Sequence, residues 1–155
     1  MNTLKWENKS FDELSTHDIY AIGHLRQEVF VVEQNCPYLD FDFKDQKCWH
    51  VMAWDENRKM VAYSRLLPIG LKYTDSSAIG RVITSQNVRG LGIGKELMRK
   101  SINYCLEVFG KHNIRISAQD YLLKFYSELG FVDTGNKYLE DNFPHSEMCL
   151  NIEKQ

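Results

Sequence analysis

Near its middle the chain reads Ile79-Gly-Arg-Val-Ile-Thr-Ser-Gln-Asn-Val-Arg-Gly-Leu-Gly-Ile-Gly-Lys95. The stretch begins with residues typical of a strand, passes through a short polar turn, and places three glycines where a helix begins. Glycines spaced this closely let successive backbone N–H groups point into one concavity, and the start of a helix adds positive potential. The pattern therefore predicts a phosphate-binding turn between a strand and a helix.

Two common phosphate motifs do not fit this turn. The dinucleotide fingerprint requires glycine where the chain has Lys95, and a P-loop requires a glycine and a hydroxyl residue where it has Arg89 and Glu96. The turn does satisfy the looser pattern R-x-x-G-x-G through Arg89, Gly92 and Gly94. Because so loose a pattern also arises by chance, a plain strand-to-helix turn built from small residues is the alternative.

The rest of the chain alternates between two hydrophobic periods, which predict strands and helices. Their order is β-α-β-β-β-α-β-α-β-β, typical of an α/β fold with helices packed on one sheet. We expect a loop or short irregular helix over residues 37–47, and a loop with Asn142, Pro144 and His145 between the last two strands. The predicted strands are 3–8, 47–54, 60–67, 78–84, 113–118, 131–137 and 147–152, and the predicted helices are 16–34, 92–110 and 120–129.

Composition narrows the class of protein. The 155 residues suffice for one domain, predicted to span 1–155, and Lys plus Arg number 19 against 21 for Asp plus Glu. We expect no nucleic-acid partner, because there is no basic excess or cluster, and no membrane, because no apolar run approaches the length of a span. The four cysteines form no C-x-x-C pair, which favours free thiols in the cytoplasm. Cys36, Cys48 and His50 could bind zinc only with a fourth ligand at metal spacing, and the sequence offers none, so we expect no metal.

Three features, in order, resemble the GNAT superfamily of acetyl-CoA-dependent N-acetyltransferases. They are the glycine turn, the strand over residues 114–118, and the run Phe125-Tyr-Ser-Glu-Leu-Gly-Phe131. The resemblance implies a single mixed α/β domain whose mostly antiparallel sheet has a parallel splayed pair at the CoA site and helices on both faces. It also implies acetyl-CoA as co-substrate, with the pantetheine along the strand before the turn and the pyrophosphate on the amides of the turn. The residues implied to bind it are Val82, Ile83, Arg89, Gly90, Leu91, Gly92, Ile93, Gly94, Lys95 and Gln119.

A closer resemblance, to the ElaA-like branch of that superfamily, lies upstream in residues 25–38 and near the end in Pro144-His145. This branch has a poorly defined acceptor, so the resemblance identifies the acyl donor better than the substrate. Two departures from the family pattern stand out. Gln119 occupies a position where many members have an asparagine, and the strand Ile79-Gly-Arg-Val82 lacks the glutamate that activates a water in many members.

Acetyl transfer to an amine needs an acid for the departing thiolate and an acceptor for the proton of the amine. The position of Tyr126 in the family motif implies that its phenol is this acid, whereas spacing alone fits an aromatic packed on an amphipathic helix. Two residues are candidate bases: Glu33 at the end of the first helix and His145 in the last loop, each with an ordinary surface role as the alternative. We expect His50, next to Trp49, to be a hydrogen-bonded structural histidine.

Acidic residues gather near the predicted acceptor side and favour a cationic amine, with a solvated acidic loop as the equal alternative. The predicted function is an acetyl-CoA-dependent N-acetyltransferase that moves an acetyl group to a primary amine of a small molecule or peptide by direct attack. Because the strand carboxylate is missing, a non-catalytic acyl-CoA-binding module is the alternative. We expect a monomer, or a homodimer formed through an exposed edge strand. The acidic residues are Glu33, Asp40, Asp42 and Asp45.

Overall fold

The computed structural model describes residues 3–152 and has the order of helices and strands that the sequence predicts. The first helix begins at a capping box, in which Ser15 Oγ accepts from the Asp18 backbone N–H and the Asp18 carboxylate accepts from the Ser15 N–H, both at 3.0 Å. The strands are β1 (Lys5–Ser10), β2 (Trp49–Trp54), β3 (Met60–Leu67), β4 (Ser77–Thr84), β5 (Ile114–Gln119), β6 (Val132–Glu140) and β7 (Phe143–Leu150), and the helices are α1 (Thr16–Arg26), α2 (Ile93–Phe109) and α3 (Leu123–Glu128).

The described residues form one seven-stranded sheet in the order β1-β2-β3-β4-β5-β7-β6. Neighbouring strands are antiparallel except β4 and β5, which are parallel. These two strands pair only at Ser77 with Ile114 and at Ala78 with Arg115, and beyond those pairs they are no longer bonded to each other. The predicted mixed sheet with a splayed parallel pair is therefore confirmed.

Helices cover both faces of the sheet. On one face, α1 buries Ile22 and Leu25 in a cluster that includes Tyr63 of β3. On the other face, α2 buries Leu97 and Met98 in the larger core. Alternate residues of a strand point to opposite faces, so the continuously buried strand β3 contributes to both clusters. No helix within residues 3–152 has the length and apolar character needed to cross a membrane.

The last two strands differ from the expectation. They are longer than predicted and meet in a two-residue turn at Asp141 and Asn142, whose φ angles are +49° and +67°. Such a turn matches the twist of the strands it joins. Pro144 lies within β7, at a position beyond the last β5 residue, so its missing N–H removes no bond to β5. The predicted loop is therefore wrong, and His145 lies in a strand.

The first predicted helix also changes character along its length. It is α-helical only to Arg26 and continues over Gln27–Glu33 as a π-helix. A π-helical turn shifts the following side chains around the helix axis, which hydrophobic spacing does not report. The segment that follows, residues 37–47, is a loop with a 3₁₀ turn at Asp45–Lys47, as the sequence predicts.

Candidate active site

Strand β4 bulges where it leaves β5. Gly80 pairs with Arg65 and Ile83 pairs with Tyr63, so β4 has one more residue than β3 between the two pairs. Arg81, inside this bulge, has a φ of +51°, in the left-handed region that non-glycine residues seldom adopt. The bulge bends β4 at the place where it lacks a partner on the β5 side.

A cavity of about 320 Å³ lies in the opening between β4 and β5. Four residues that the sequence predicts for the site line it: Val82, Gln119, Tyr126 and His145. Gln119 of β5 and His145 of β7 are register partners, which places them side by side. Ile83 is buried on the α1 face of the sheet, so only its backbone is available to a ligand in the opening.

The glycine turn has the conformation that a phosphate site requires. Gly90 and Gly92 have φ angles of +82° and +80°, and no heavy atom of the described chain lies within 4 Å of the place where a Cβ would sit on either. Helix α2 then starts at Ile93 without a side-chain cap among the described residues. Its first N–H groups lack intrahelical partners, and the N-terminus of the helix carries a positive potential. Both features suit the binding of a diphosphate. The residues present therefore fit the pyrophosphate of a CoA thioester.

Glu33 contacts this turn and does not line the cavity. Its carboxylate accepts two hydrogen bonds from Arg89, at 2.8 and 3.0 Å, and one from the Gln86 amide at 3.1 Å. The hydrogen bonds from Arg89 hold the pKa of Glu33 below its ordinary value. A carboxylate bound in this way is a weak proton acceptor, so the structure brings Glu33 to the predicted phosphate site and not to Tyr126 and His145.

Tyr126 is buried beneath the opening. Its ring contacts Phe125 and Phe131 edge-on, with centroid distances of 5.1 and 6.1 Å. Burial raises the pKa of its phenol. The hydroxyl therefore stays protonated at neutral pH, as a general acid must.

Each ring nitrogen of His145 lies near one oxygen atom. Its Nδ1 lies 2.8 Å from the Phe143 carbonyl oxygen, and because a carbonyl only accepts, Nδ1 donates. Its Nε2 lies 3.4 Å from Glu140 Oε2. Nε2 then has the lone pair, and Glu140 stabilises the imidazolium once Nε2 is protonated. Sequence reasoning missed Glu140, although the two residues flank one tight hairpin.

Arg26, a fully buried residue of α1, holds the acidic segment in place. Its Nε donates to Asp40 Oδ2 at 2.6 Å, its Nη1 to Asp45 Oδ1 at 2.7 Å, and its Nη2 to the Asp40 carbonyl at 2.9 Å. Although burial alone would raise it, the pKa of Asp45 lies below its ordinary value because of the charges and hydrogen bonds of Arg26 and Arg65. The first helix and the acidic segment are thus joined by buried ion pairs.

Two arginines of the sheet complete this cluster. Arg65 of β3 donates to both oxygens of Asp42, at 2.8 and 3.0 Å, and to Asp45 at 3.0 Å. Arg81 in the bulge forms an ion pair with Asp40 at 2.8 Å. We call this set the arginine–aspartate cluster, and it comprises Arg26, Arg65, Arg81, Asp40, Asp42 and Asp45.

The cluster changes the interpretation of the acidic residues. All three aspartates are engaged by arginines, so they are neither a solvated loop nor a free negative surface for a cationic amine. The three aspartates are directed at the arginines, whereas the intervening side chains Leu39, Phe41 and Phe43 are exposed. The alternation of Asp with large apolar residues was the available signal, but the arginine partners are remote in sequence.

His50 has the structural role that the sequence predicts. It is 1% exposed, its Nδ1 lies 2.7 Å from the Tyr63 hydroxyl, and its Nε2 lies 2.9 Å from the Asp45 carbonyl oxygen. Burial lowers its pKa, so the ring stays neutral near pH 7. Both ring nitrogens are used within the fold.

Comparison with known proteins agrees with this geometry. The model for the acetyltransferase (GNAT) domain matches residues 32–152. A UPF0039 protein of Synechocystis and protein ElaA of Escherichia coli are each 36% identical, over 96% of this chain and 96% and 97% of theirs. The crystal structure of an acyl-CoA N-acyltransferase from Pseudomonas aeruginosa is 37% identical over 95% of this chain and 99% of its own, with a TM-score of 0.89. That of E. coli ElaA is likewise 37% identical over 95% and 99%, with a TM-score of 0.87. The chain therefore belongs to the GNAT acetyltransferase family and is a relative of the ElaA and UPF0039 proteins.

Proposed function

We propose that this protein is an acetyl-CoA-dependent N-acetyltransferase that acetylates a primary amine of a small molecule or peptide by direct attack. The observation that carries the proposal is the opening between β4 and β5, where Tyr126, Gln119 and His145 line one cavity next to unpaired strand edges. The four cysteines are free thiols, in keeping with a reducing cytoplasm as the place of the reaction.

The co-substrate is assigned to the glycine turn and the bulged strand. The turn from Arg89 to Lys95 holds the pyrophosphate through backbone N–H groups, and the backbone of Val82 and Ile83 accompanies the pantetheine arm. Gln119 projects a side-chain amide, which donates and accepts, into the same cavity. When bound, acetyl-CoA supplies the activated acyl group as a thioester.

The reaction needs one proton acceptor and one proton donor. The lone pair of the amine attacks the thioester carbonyl carbon, the C–S bond breaks, and the thiolate takes the proton of the Tyr126 hydroxyl. His145 Nε2 accepts the proton that the amine loses, and Glu140 balances the resulting imidazolium. Glu33 stays a predicted base, but its two bonds from Arg89 favour His145 for this role.

The test is thiol release from acetyl-CoA with a library of amines. In Tyr126→Phe the ring and its packing are kept, so we expect turnover to fall by roughly 10²-fold while CoA affinity, measured by calorimetry, barely changes. Tyr20→Phe removes a hydroxyl from an exposed residue of α1 and serves as the matched control. If CoA binds but no amine releases thiol from the wild-type chain, the protein is a non-catalytic acyl-CoA-binding module.

A further inference from the structure

The cavity between β4 and β5 has an unequal set of charges on its walls. Five cationic side chains line it against three carboxylates. A cavity with such walls raises the local concentration of anions and lowers that of cations. The cations are Lys44, Arg65, Lys72, Arg81 and Arg115, and the carboxylates are Asp42, Glu140 and Asp141.

Most of these charges are compensated within the protein. Arg65 and Arg81 belong to the arginine–aspartate cluster, and Arg115 lies 3.0 Å from Asp75. Asp42 is bound by Arg65, and Glu140 is the partner of His145. These groups are therefore not free to bind the charge of a substrate.

Lys44 and Lys72 are the exception. No carboxylate within the described range 3–152 lies at ion-pair distance from either ammonium, whereas Asp141 is the one wall carboxylate without a cationic partner. Lys72 is exposed to solvent, yet protein surrounds it closely enough that desolvation lowers its pKa. The charge of Glu140 opposes this effect, and the charges of Lys44, Arg81 and Arg65 add to it. The charge left on this wall is therefore positive, with the two ammonium groups of Lys44 and Lys72 against the one unpaired carboxylate of Asp141.

We propose that the acceptor amine also carries a carboxylate, and that Lys72 together with Lys44 binds it. The inference rests on the proposed function and names its substrate class: an amino acid, with its amine α or ω to the carboxylate. A polyamine or another polycation does not match these walls. The same cations disfavour a second positive charge and so lower the pKa of the bound ammonium, which favours the neutral amine that attacks.

The experiment compares matched acceptors. Glycine, β-alanine, 4-aminobutanoate, 6-aminohexanoate and the α-amino acids are each assayed by thiol release beside the corresponding primary amide, with putrescine as the cationic probe. We expect the best acid to exceed its amide by roughly tenfold in kcat/KM, since one charge pair at an exposed wall is lost. Lys72→Gln should bring this ratio towards one, mainly by raising KM for the acid. Lys111→Gln, which changes an exposed lysine away from the cavity, should leave it unchanged.

Two results overturn the inference: equal or better turnover of the amides or putrescine, or a ratio that survives in the double variant Lys44→Gln/Lys72→Gln. If no amine is turned over at all, the proposed function fails, and the carboxylate site is then judged by binding. With CoA present, calorimetry of 4-acetamidobutanoate against its carboxamide should show tighter binding of the acid in the wild type and not in Lys72→Gln. Equal binding, or none, refutes the site.

Discussion

Replacement of Asp42 by asparagine tests whether the arginine–aspartate cluster stabilises the fold through charge. Asp42 accepts from Arg65 at 2.8 and 3.0 Å and lies 3.5 Å from the Arg81 guanidinium. Its side chain is 24% exposed. Asparagine keeps the size of the carboxyl group, removes its charge as protonation does, and replaces one of the two acceptor oxygens by an NH2 donor.

The pKa of this group gives the size of the effect. Burial would raise it, but the hydrogen bonds and charge of Arg65, with a smaller contribution from Arg81, lower the pKa of Asp42 from 3.8 to about 2. Since one pKa unit corresponds to about 1.4 kcal/mol, the charged form contributes on the order of 2 kcal/mol to the free energy of unfolding. We expect Asp42→Asn to lose about this amount at pH 7.

The pH dependence has a definite sign. The folded-state pKa lies below the unfolded-state value, so the stabilisation is fully present above about pH 5 and is lost as the pH falls towards 2. The wild type and Asp42→Asn should therefore differ most at neutral pH and converge in acid. A loss of hydrogen-bond geometry alone would give a difference that does not depend on pH.

Urea unfolding between pH 3 and pH 7 measures both quantities. Asp12→Asn, at an exposed position, is the matched control and should lie within about 0.5 kcal/mol of the wild type throughout. A loss below 0.5 kcal/mol in Asp42→Asn at pH 7, or a loss that is constant with pH, would contradict the argument from charge.

Two further predictions concern the site. Gly92→Asp places a carboxylate among the phosphate-facing amides and should lower CoA affinity in calorimetry by more than roughly tenfold. Gly135→Asp, at a similar φ in an open position, controls for backbone strain and should leave CoA affinity unchanged. His145→Ala should abolish the acid limb of the kcat/KM profile. Glu33→Gln should keep this limb and, by freeing Arg89, should raise CoA affinity a few-fold. A limb that moves with Glu33→Gln would restore that residue as the base.

Local patterns predicted the parts of the structure that depend on neighbours in sequence. The starts of the first helix, near residue 16, and of the second helix, near Gly92, were predicted because the residues that signal them lie within a few positions of each other. The family resemblance added the splayed strands, which no periodicity reports. His145 was assigned to a loop because Pro144 ordinarily ends a strand, and only the register of β7 beyond the end of β5 shows why it does not.

The arginine–aspartate cluster could not be predicted from the sequence. Arg26 follows an apolar position of an amphipathic helix, where a charged residue normally reaches solvent, and here it is fully buried. Its partners Asp40 and Asp45 lie 14 and 19 residues away, and nothing in the spacing joins them to it. For the same reason the sequence did not show that arginines neutralise the acids near the acceptor side. It therefore did not predict the positive charge that Lys72 contributes to the walls of the cavity between β4 and β5.

The short pairing of β4 with β5 has a consequence for the lifetime of the chain. Two residue pairs join the strands, so the group β5-β7-β6 is held to the remaining sheet mainly by side-chain packing in the larger core. A molecule that contacts both sides of the opening adds its binding free energy to that attachment. Since the proposed acyl donor is such a molecule, we expect the resistance of the fold to proteases to rise with the donor concentration, and depletion of the donor to shorten the time for which the protein survives.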